Sequence, residues 1–270
     1  MKFLLSLSVV LISVQAFSAT SQNKSIELLK DPSGKQMAVA EKDIVPLERL
    51  ENMFTMDAHY PGLMAMLKRN VFKHRQKAVP ILIKVMKEGK YPEQNRWHAT
   101  MLLAQVMGVK SAPFIAKFAE HPHWMMRLAS LKALLGLRQN EYQAVYSRAL
   151  KDSSLIVRLQ ALDNISQMKI ESLAPNVWQM MYDQSNYSGA LGKRKRTSIV
   201  RSIIRTVGDV KFKKASRPLA KLIQKQKYQD LIDDLDYSLE KITGKVSPNT
   251  VDARRKFWSE VAMDSGKKKI

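Results

Sequence analysis

Pro113-Phe-Ile-Ala-Lys117-Phe-Ala119, Ala144-Val-Tyr-Ser-Arg148-Ala-Leu150 and Pro175-Asn-Val-Trp-Gln179-Met-Met181 follow one another at a 31-residue offset. Arg96, Arg127 and Arg158 precede them at the same offset, and each Arg opens a run of small and apolar residues. Every unit therefore reads as two apolar runs joined by a short turn. A fixed period in the 20–50 residue range marks an array of small units, none of which can bury its apolar face alone. Such arrays serve chiefly as binding surfaces.

The same pattern extends in both directions. Upstream, Leu47, Leu50, Met53 and Phe54 recur at helical spacing and predict a first, capping helix. The spacing then predicts helices near 61–73, with Leu63, Met66, Leu67 and Phe72 inward, and near 77–88, with Ile81, Leu82, Val85 and Met86 inward. Pairs follow at Asn95–Gly108 with Ala112–Glu120, Trp124–Leu137 with Glu141–Lys151, and Leu155–Met168 with Glu171–Tyr182. Asp183 to Gly192, rich in Ser, Asn and Gly, reads as a longer inserted loop. Arg194–Val207 with Lys214–Lys225 and Gln229–Ile242 with Val251–Ala262 complete about six pairs. Gly108 and Gly208 fall where a first helix should stop, as C-terminal caps. Pro80, Pro113, Pro175 and Pro218 fall where a second helix begins, a turn in which the missing N–H costs nothing. The fold class is all-α.

The 270 residues carry 45 Lys and Arg against 24 Asp and Glu, a net charge of +21. That balance favours polyanionic partners: nucleic acid, anionic lipid, acidic glycan or acidic protein. Lys2, the apolar run Phe3 to Val14 and small residues at Ala16, Ser18 and Ala19 have the layout of a secretory signal peptide at 1–19, with cleavage sites after 16, 18 or 19. The run of about 12 apolar residues falls short of the roughly 20 that span a bilayer, against an uncleaved anchor. Residues 20–42 read as a flexible polar lead-in, 43–262 as the helical array and 263–270 as a frayed basic tail. No later run has 18 uninterrupted apolar residues, so the mature chain is expected to be soluble or peripheral, periplasmic or secreted. Cysteine is absent, which excludes disulfides and thiol chemistry.

Leu155-Ile-Val157-Arg158-Leu-Gln-Ala161-Leu162, with Asp152 in the preceding turn, resembles the HEAT-like repeat, in the short class first noted in phycobiliprotein lyases. Met126-Arg127-Leu-Ala-Ser-Leu131-Lys-Ala133-Leu-Leu-Gly136 is a second match; Asn95-Arg96 through Leu103 and Arg196 through Gly208 are weaker ones. Leu239-Glu-Lys-Ile242-Thr243-Gly244 followed by Arg254-Arg-Lys-Phe257-Trp258 is similar to the final unit of exported bacterial HEAT-like proteins. The resemblance covers about 60–262. It implies a right-handed α-α superhelix, a HEAT-like solenoid of about six hairpins, in a binding role. It says little of the ligand, because folds host unrelated functions.

In such solenoids the second helices line the concave face. Counted from positions 80, 113, 144, 175 and 218, offsets +1, +2, +5 and +6 are mostly apolar, which leaves offset +4 exposed. That place holds Lys84, Lys117, Arg148 and Gln179, and in the fifth pair the charge moves one place to Lys221. These residues would form a basic ladder with rungs about 10 Å apart; the plainer reading is that Lys and Arg simply suit a wet helix face. A second basic zone, Lys193 to Lys227, holds 13 Lys or Arg and one acid, Asp209. Its head, Lys193, Arg194, Lys195 and Arg196, would form an auxiliary anion clamp, partly neutralised by Asp230, Asp233, Asp234 and Asp236. Arg127 and Arg158 are expected to pair with turn acids or carbonyls of an adjacent unit.

Catalytic signals are weak. His121-Pro-His123 lacks the further ligands a metal site needs. The His-Glu dipeptides of iron-binding HEAT-like hydroxylases, the G-x-S-x-G motif and the P-loop are all absent. Trp97, Trp124, Trp178 and Trp258 fall in predicted helices and are expected in the core. The reading is a non-enzymatic binding module or scaffold of a bacterial envelope, without cofactor or metal, holding an acidic protein or peptide in a basic concave groove. The alternatives are a binder of anionic envelope polymer or lipid head groups and, further off, a cationic HEAT-like DNA-processing enzyme such as a glycosylase. That enzyme would need a catalytic acid near exposed aromatics.

Overall fold

A computed structural model describes residues 44–56, 62–188 and 194–267, without the side chains of 194 and 264–267. The signal segment, the lead-in, Lys193 and the last three residues of the basic tail lie outside the described residues. The described chain is mostly helical, with a single two-residue strand pair. The helices are α1 (Leu47–Met53), α2 (Leu63–His74), α3 (Val79–Lys87), α4 (Glu93–Met107), α5 (Ala112–Lys117), α6 (Trp124–Gly136) and α7 (Gln143–Ala149). They continue as α8 (Leu155–Gln167), α9 (Ala174–Gln179), α10 (Thr197–Asp209), α11 (Ser216–Leu222), α12 (Ile232–Thr243) and α13 (Val251–Lys267). Strand β1 (Tyr187–Ser188) pairs antiparallel with β2 (Arg194–Lys195) between α9 and α10.

Long and short helices alternate from α4 to α11, and the even-numbered ones pack side by side from α2 to α12. Each odd-numbered helix from α3 to α11 packs on the even-numbered helix that follows it. The seam is closed by small residues: Ala99, Ala133 and Ala161 are buried. Short polar side chains there bond to main-chain carbonyls of neighbours, which keeps buried polar atoms paired. Ser130 Oγ donates to the Ile115 carbonyl at 2.8 Å, Asn164 Nδ2 to Leu131 at 2.8 Å and Ser238 Oγ to Ile204 at 2.8 Å.

The periodic arginines lock the order. Arg96 donates to the Met86 carbonyl through Nε and Nη2 and lies 2.9 Å from His121 Nε2. Arg127 makes a two-pronged pair with Asp152, both contacts 2.6 Å, and also donates to the His121 and Pro122 carbonyls. Arg158 Nη1 donates to the Asp152 carbonyl at 2.6 Å. These are the turn acids and carbonyls expected of Arg127 and Arg158. The contacts also fix polarity, because Arg96 and Arg127 join the starts of α4 and α6 to the turns leading into α6 and α8. Asn95, reaching the Phe54 and Met56 carbonyls ahead of α2, and Arg201, paired with Asp234 at the head of α12, do the same at the two ends.

The first five even-numbered helix ends reverse in two ways. After α6, α8 and α10 the residues Arg138, Lys169 and Lys211 take positive φ (56°, 53° and 49°). In each case the next N–H bonds five residues back, as in Gln139 to Leu134, Ile170 to Ile165 and Phe212 to Val207. This is the Schellman ending, with a basic residue where glycine is usual. After α2 and α4, Arg75 (φ 49°, ψ −123°) and Gly108 (φ 57°, ψ −145°) share a conformation that suits glycine alone. Arg75→Gly is therefore expected to stabilise the protein by about 1 kcal/mol, after the entropy glycine loses. A thermal midpoint that falls instead would contradict the strain.

Four expectations need correction. Phe72 is 39% exposed, because the buried face of α2 runs through Leu63, Leu67, Asn70 and Val71, and Phe72 lies a further 100° round. Gly208 is not a cap: it lies inside α10, where a Cβ would meet Ser238 Cα at 2.7 Å, and Lys211 makes the turn. Arg194 and Lys195 are in β2, so α10 begins at Thr197. The expected frayed tail is helical as far as Lys267. The second helices are also short, and α5 and α9 finish as 3-10 turns. Residues 93–120 have the length and hydropathy of a membrane-crossing helix, but they reverse at Gly108 and supply core residues on both sides.

Candidate partner-binding face

The register read for the second helices is seen in their burial. Leu82, Ile115, Tyr146, Val177 and Leu219 are all buried, while Lys117, Arg148, Gln179 and Lys221 are exposed and Lys84 is half-buried. Two of the cations already hold carboxylates of the same chain. Lys84 Nζ lies 2.8 and 3.0 Å from the two oxygens of Glu51, on α1. The Tyr91 hydroxyl donates to Glu51 as well, at 2.6 Å. Hydrogen bonds from Lys84 and then Tyr91 hold the Glu51 carboxyl below its ordinary range, and the same contact raises Lys84. Arg148 Nη2 meets Glu120 at 2.6 Å, with both side chains more than 60% exposed. Lys117 and Lys221 have no ion-pair partner among the described residues. Between α7 and α9 a small opening is lined by Ser147, Lys151, Asn176, Gln179 and Asp183.

Three cations of the second basic zone, Lys195, Arg201 and Arg205, are held by carboxylates inside the fold. Lys195 is 12% exposed, donates to the Lys227 carbonyl at 2.6 Å and pairs with Asp230 at 2.7 Å. That contact holds the Asp230 carboxyl low. Arg196 is exposed at the start of α10, its N–H bonded to the Asn186 carbonyl. Of Arg194 only the backbone is described, in β2, and Lys193 lies outside the described residues. Arg201 and Arg205 share Asp234 at 2.9 Å each, and Arg254 takes Asp233 and Asp236. The acidic run thus neutralises basic neighbours within the fold, as its position suggested.

His121 and His123 do other work. His123 Nδ1 accepts the Met125 N–H, capping α6, and its Nε2 meets Glu93 at 2.7 Å. His121 lies against Arg96, and desolvation followed by the Arg96 charge lowers its pKa. No cluster of three or more candidate metal ligands occurs among the described residues. Half-buried His98 is pushed down to about 4 by desolvation. Trp258 is fully buried with its indole N–H on Asp236 at 2.6 Å, and Trp97 and Trp178 are half-buried. Trp124, at the head of α6, is 39% exposed and departs from the core placement expected of it, because it leads the helix from a turn. Glu51 and Glu120, the carboxylates seated on the ladder, were not legible as such: nothing in spacing marks a carboxylate 33 or 28 residues away as a partner.

No protein-family model matches the chain, and no curated protein matches it in sequence.

Proposed function

We propose that this chain is a non-enzymatic binding module of HEAT-like type, a right-handed superhelix of six hairpins exported to a bacterial envelope. It recognises an acidic protein or peptide along its second helices. The Arg148–Glu120 pair carries this reading: the position chosen for a partner's carboxylate already seats one, at 2.6 Å and in full view of solvent. An exposed pair of this kind contributes only about 0–1 kcal/mol, so a multivalent acidic segment would displace Glu120 with little loss. Lys117, one rung away, stands open to the same segment. The Lys84–Glu51 pair, half-screened and buttressed by Tyr91, would remain closed.

The test is titration with a labelled peptide rich in Glu and Asp, alongside capture from envelope extract, each at two salt concentrations. Lys117→Glu with Arg148→Glu should weaken peptide binding at least tenfold, and binding should fall as salt rises. Both residues are exposed, so the helical circular-dichroism signal should not change. Equal binding by the reversed and original proteins would reject this face as the site.

A further inference from the structure

The two ends of the even-numbered helices differ in charge. Their N-terminal ends share one edge of the molecule, as the contacts of Asn95, Arg96, Arg127 and Arg201 require. Their C-terminal ends therefore share the other, and Ser166 Oγ and Lys169 Nζ both reach Asp209 there, at 2.5 and 3.5 Å. On the N-terminal edge each of the five connections carries one acid: Glu88, Glu120, Asp152, Asp183 and Asp230. Four of these pair with Lys or Arg, at Lys90, Arg148, Arg127 and Lys195. The Arg194–Arg196 stretch lies on this edge too, with Lys195 turned inward.

The C-terminal edge is different. Every one of its six connections carries at least one Lys or Arg, and together they hold nine cations against two acids, Glu141 and Glu171, where the five N-terminal connections hold eight cations against five acids. Arg75, Arg138, Lys169 and Lys211 occupy the positive-φ position itself, where glycine would be less strained. All four are exposed, and Arg75, Arg138 and Lys211 have no ion-pair partner among the described residues. Apolar side chains stand among the cations: Val109 is 60% exposed beside Lys110, and Val246 is 81% exposed beside Lys245.

We infer that this turn edge is a docking ridge for an anionic membrane surface. Six connections at about 10 Å helix spacing extend the ridge over roughly 50 Å. Long cationic side chains exposed along one edge meet a plane of anionic head groups and each adds to the attraction near the surface. Exposed valines between them favour a bilayer over a linear polyanion, because only the bilayer offers an apolar layer just beneath its charges. The ridge is separate from the second-helix face and does not depend on it.

The full chain is sedimented with vesicles of phosphatidylglycerol and phosphatidylcholine, and with phosphatidylcholine alone. The ratio of the two retentions cancels whatever the apolar run Phe3 to Val14 contributes to both. The original protein should favour the anionic vesicles. Arg75→Gly, Arg138→Gly, Lys169→Gly and Lys211→Gly together should lower that preference roughly a hundredfold. The four glycines suit the backbone they replace, so the fold should persist by circular dichroism and the loss should report charge. Lys117→Glu with Arg148→Glu should leave the preference within about twofold, which separates this ridge from the peptide face. Val109→Ser with Val246→Ser should lower binding to anionic vesicles roughly fivefold. Undiminished preference in the glycine variant would overturn the ridge. An unchanged affinity in the serine variant, or binding of soluble polyphosphate with no vesicle retention, would overturn the membrane as its partner.

Discussion

Gly208→Val is expected to destabilise the protein by about 3 kcal/mol, the upper part of the range for overpacking. The Cβ would lie 2.7 Å from Ser238 Cα and 2.8 Å from Ser238 Oγ. The nearest atom is backbone, so no rotamer relieves it. Turning Ser238 aside would also break its bonds to the Ile204 and Asp234 carbonyls, at 2.8 and 2.9 Å. The remaining escape is to lift α12 off α10, which strains the pairs of Arg201 and Arg205 with Asp234. Gly208→Ala should lose less, because alanine regains about 1 kcal/mol of helix propensity. Chemical denaturation measures both, and a valine variant within 0.5 kcal/mol of the original (about the spread of a neutral surface change) would refute the close approach. In an array stabilised by nearest neighbours, hydrogen exchange should accelerate in α10–α13 while α4–α8 stay protected.

Gly208 also shows where sequence reasoning stops. Spacing from Arg196 placed it level with Gly108 and suggested the same duty, and one of the two does cap a helix. The other was kept for the absence of a side chain, not for backbone freedom. Those two uses of glycine look identical in a sequence, since only the approach of a second helix tells them apart. Helix register was legible because burial repeats at 3.6 residues, so Leu82, Ile115, Tyr146, Val177 and Leu219 could be placed inward from spacing alone. Phe72 fell outside that rule by one step. The helix-ending turns were not legible. Arg138, Lys169 and Lys211 read as ordinary surface cations until backbone angles put them at the reversal.

The candidate face was legible as positions and illegible as free charge. Lys84, Lys117, Arg148 and Lys221 lie where the offset count placed them, half-buried in the first case and exposed in the others. Formal charge, however, counts a cation whether or not a carboxylate is seated on it. Glu51, Glu120, Asp230 and Asp234 remove Lys84, Arg148, Lys195, Arg201 and Arg205 from the freely available set. Part of what those pairs leave lies on the turn edge, at Arg75, Arg138 and Lys211, which no periodicity in the apolar residues describes. Charge excess and apolar period are separate signals in this chain, and the fold brings only the second into register with the core.

Asp152→Ala is expected to cost about 3–4 kcal/mol, within the range for breaking a buried pair by removing one partner. Asp152 is 9% exposed and accepts from Arg127 Nε and Nη2, both at 2.6 Å, and from the Ser154 N–H at 2.8 Å. Its loss leaves the Arg127 guanidinium, 14% exposed, with only the His121 and Pro122 carbonyls, and it frees the Ser154 N–H in the turn ahead of α8. Arg127→Met in the same chain should recover much of the loss, because a pair replaced by packed apolar surface no longer strands a charge. The double-mutant cycle should therefore give a coupling of about 2 kcal/mol between the two residues. A coupling under 0.5 kcal/mol would mean that the pair does not tie α6 to the turn ahead of α8. It would also return the 31-residue arginine period to the list of possible binding features, since Arg127 would then be free to serve a partner. The large coupling expected argues the reverse: the repeated arginine holds successive helices in order, which leaves the proposed recognition to exposed cations such as Lys117 and Lys221.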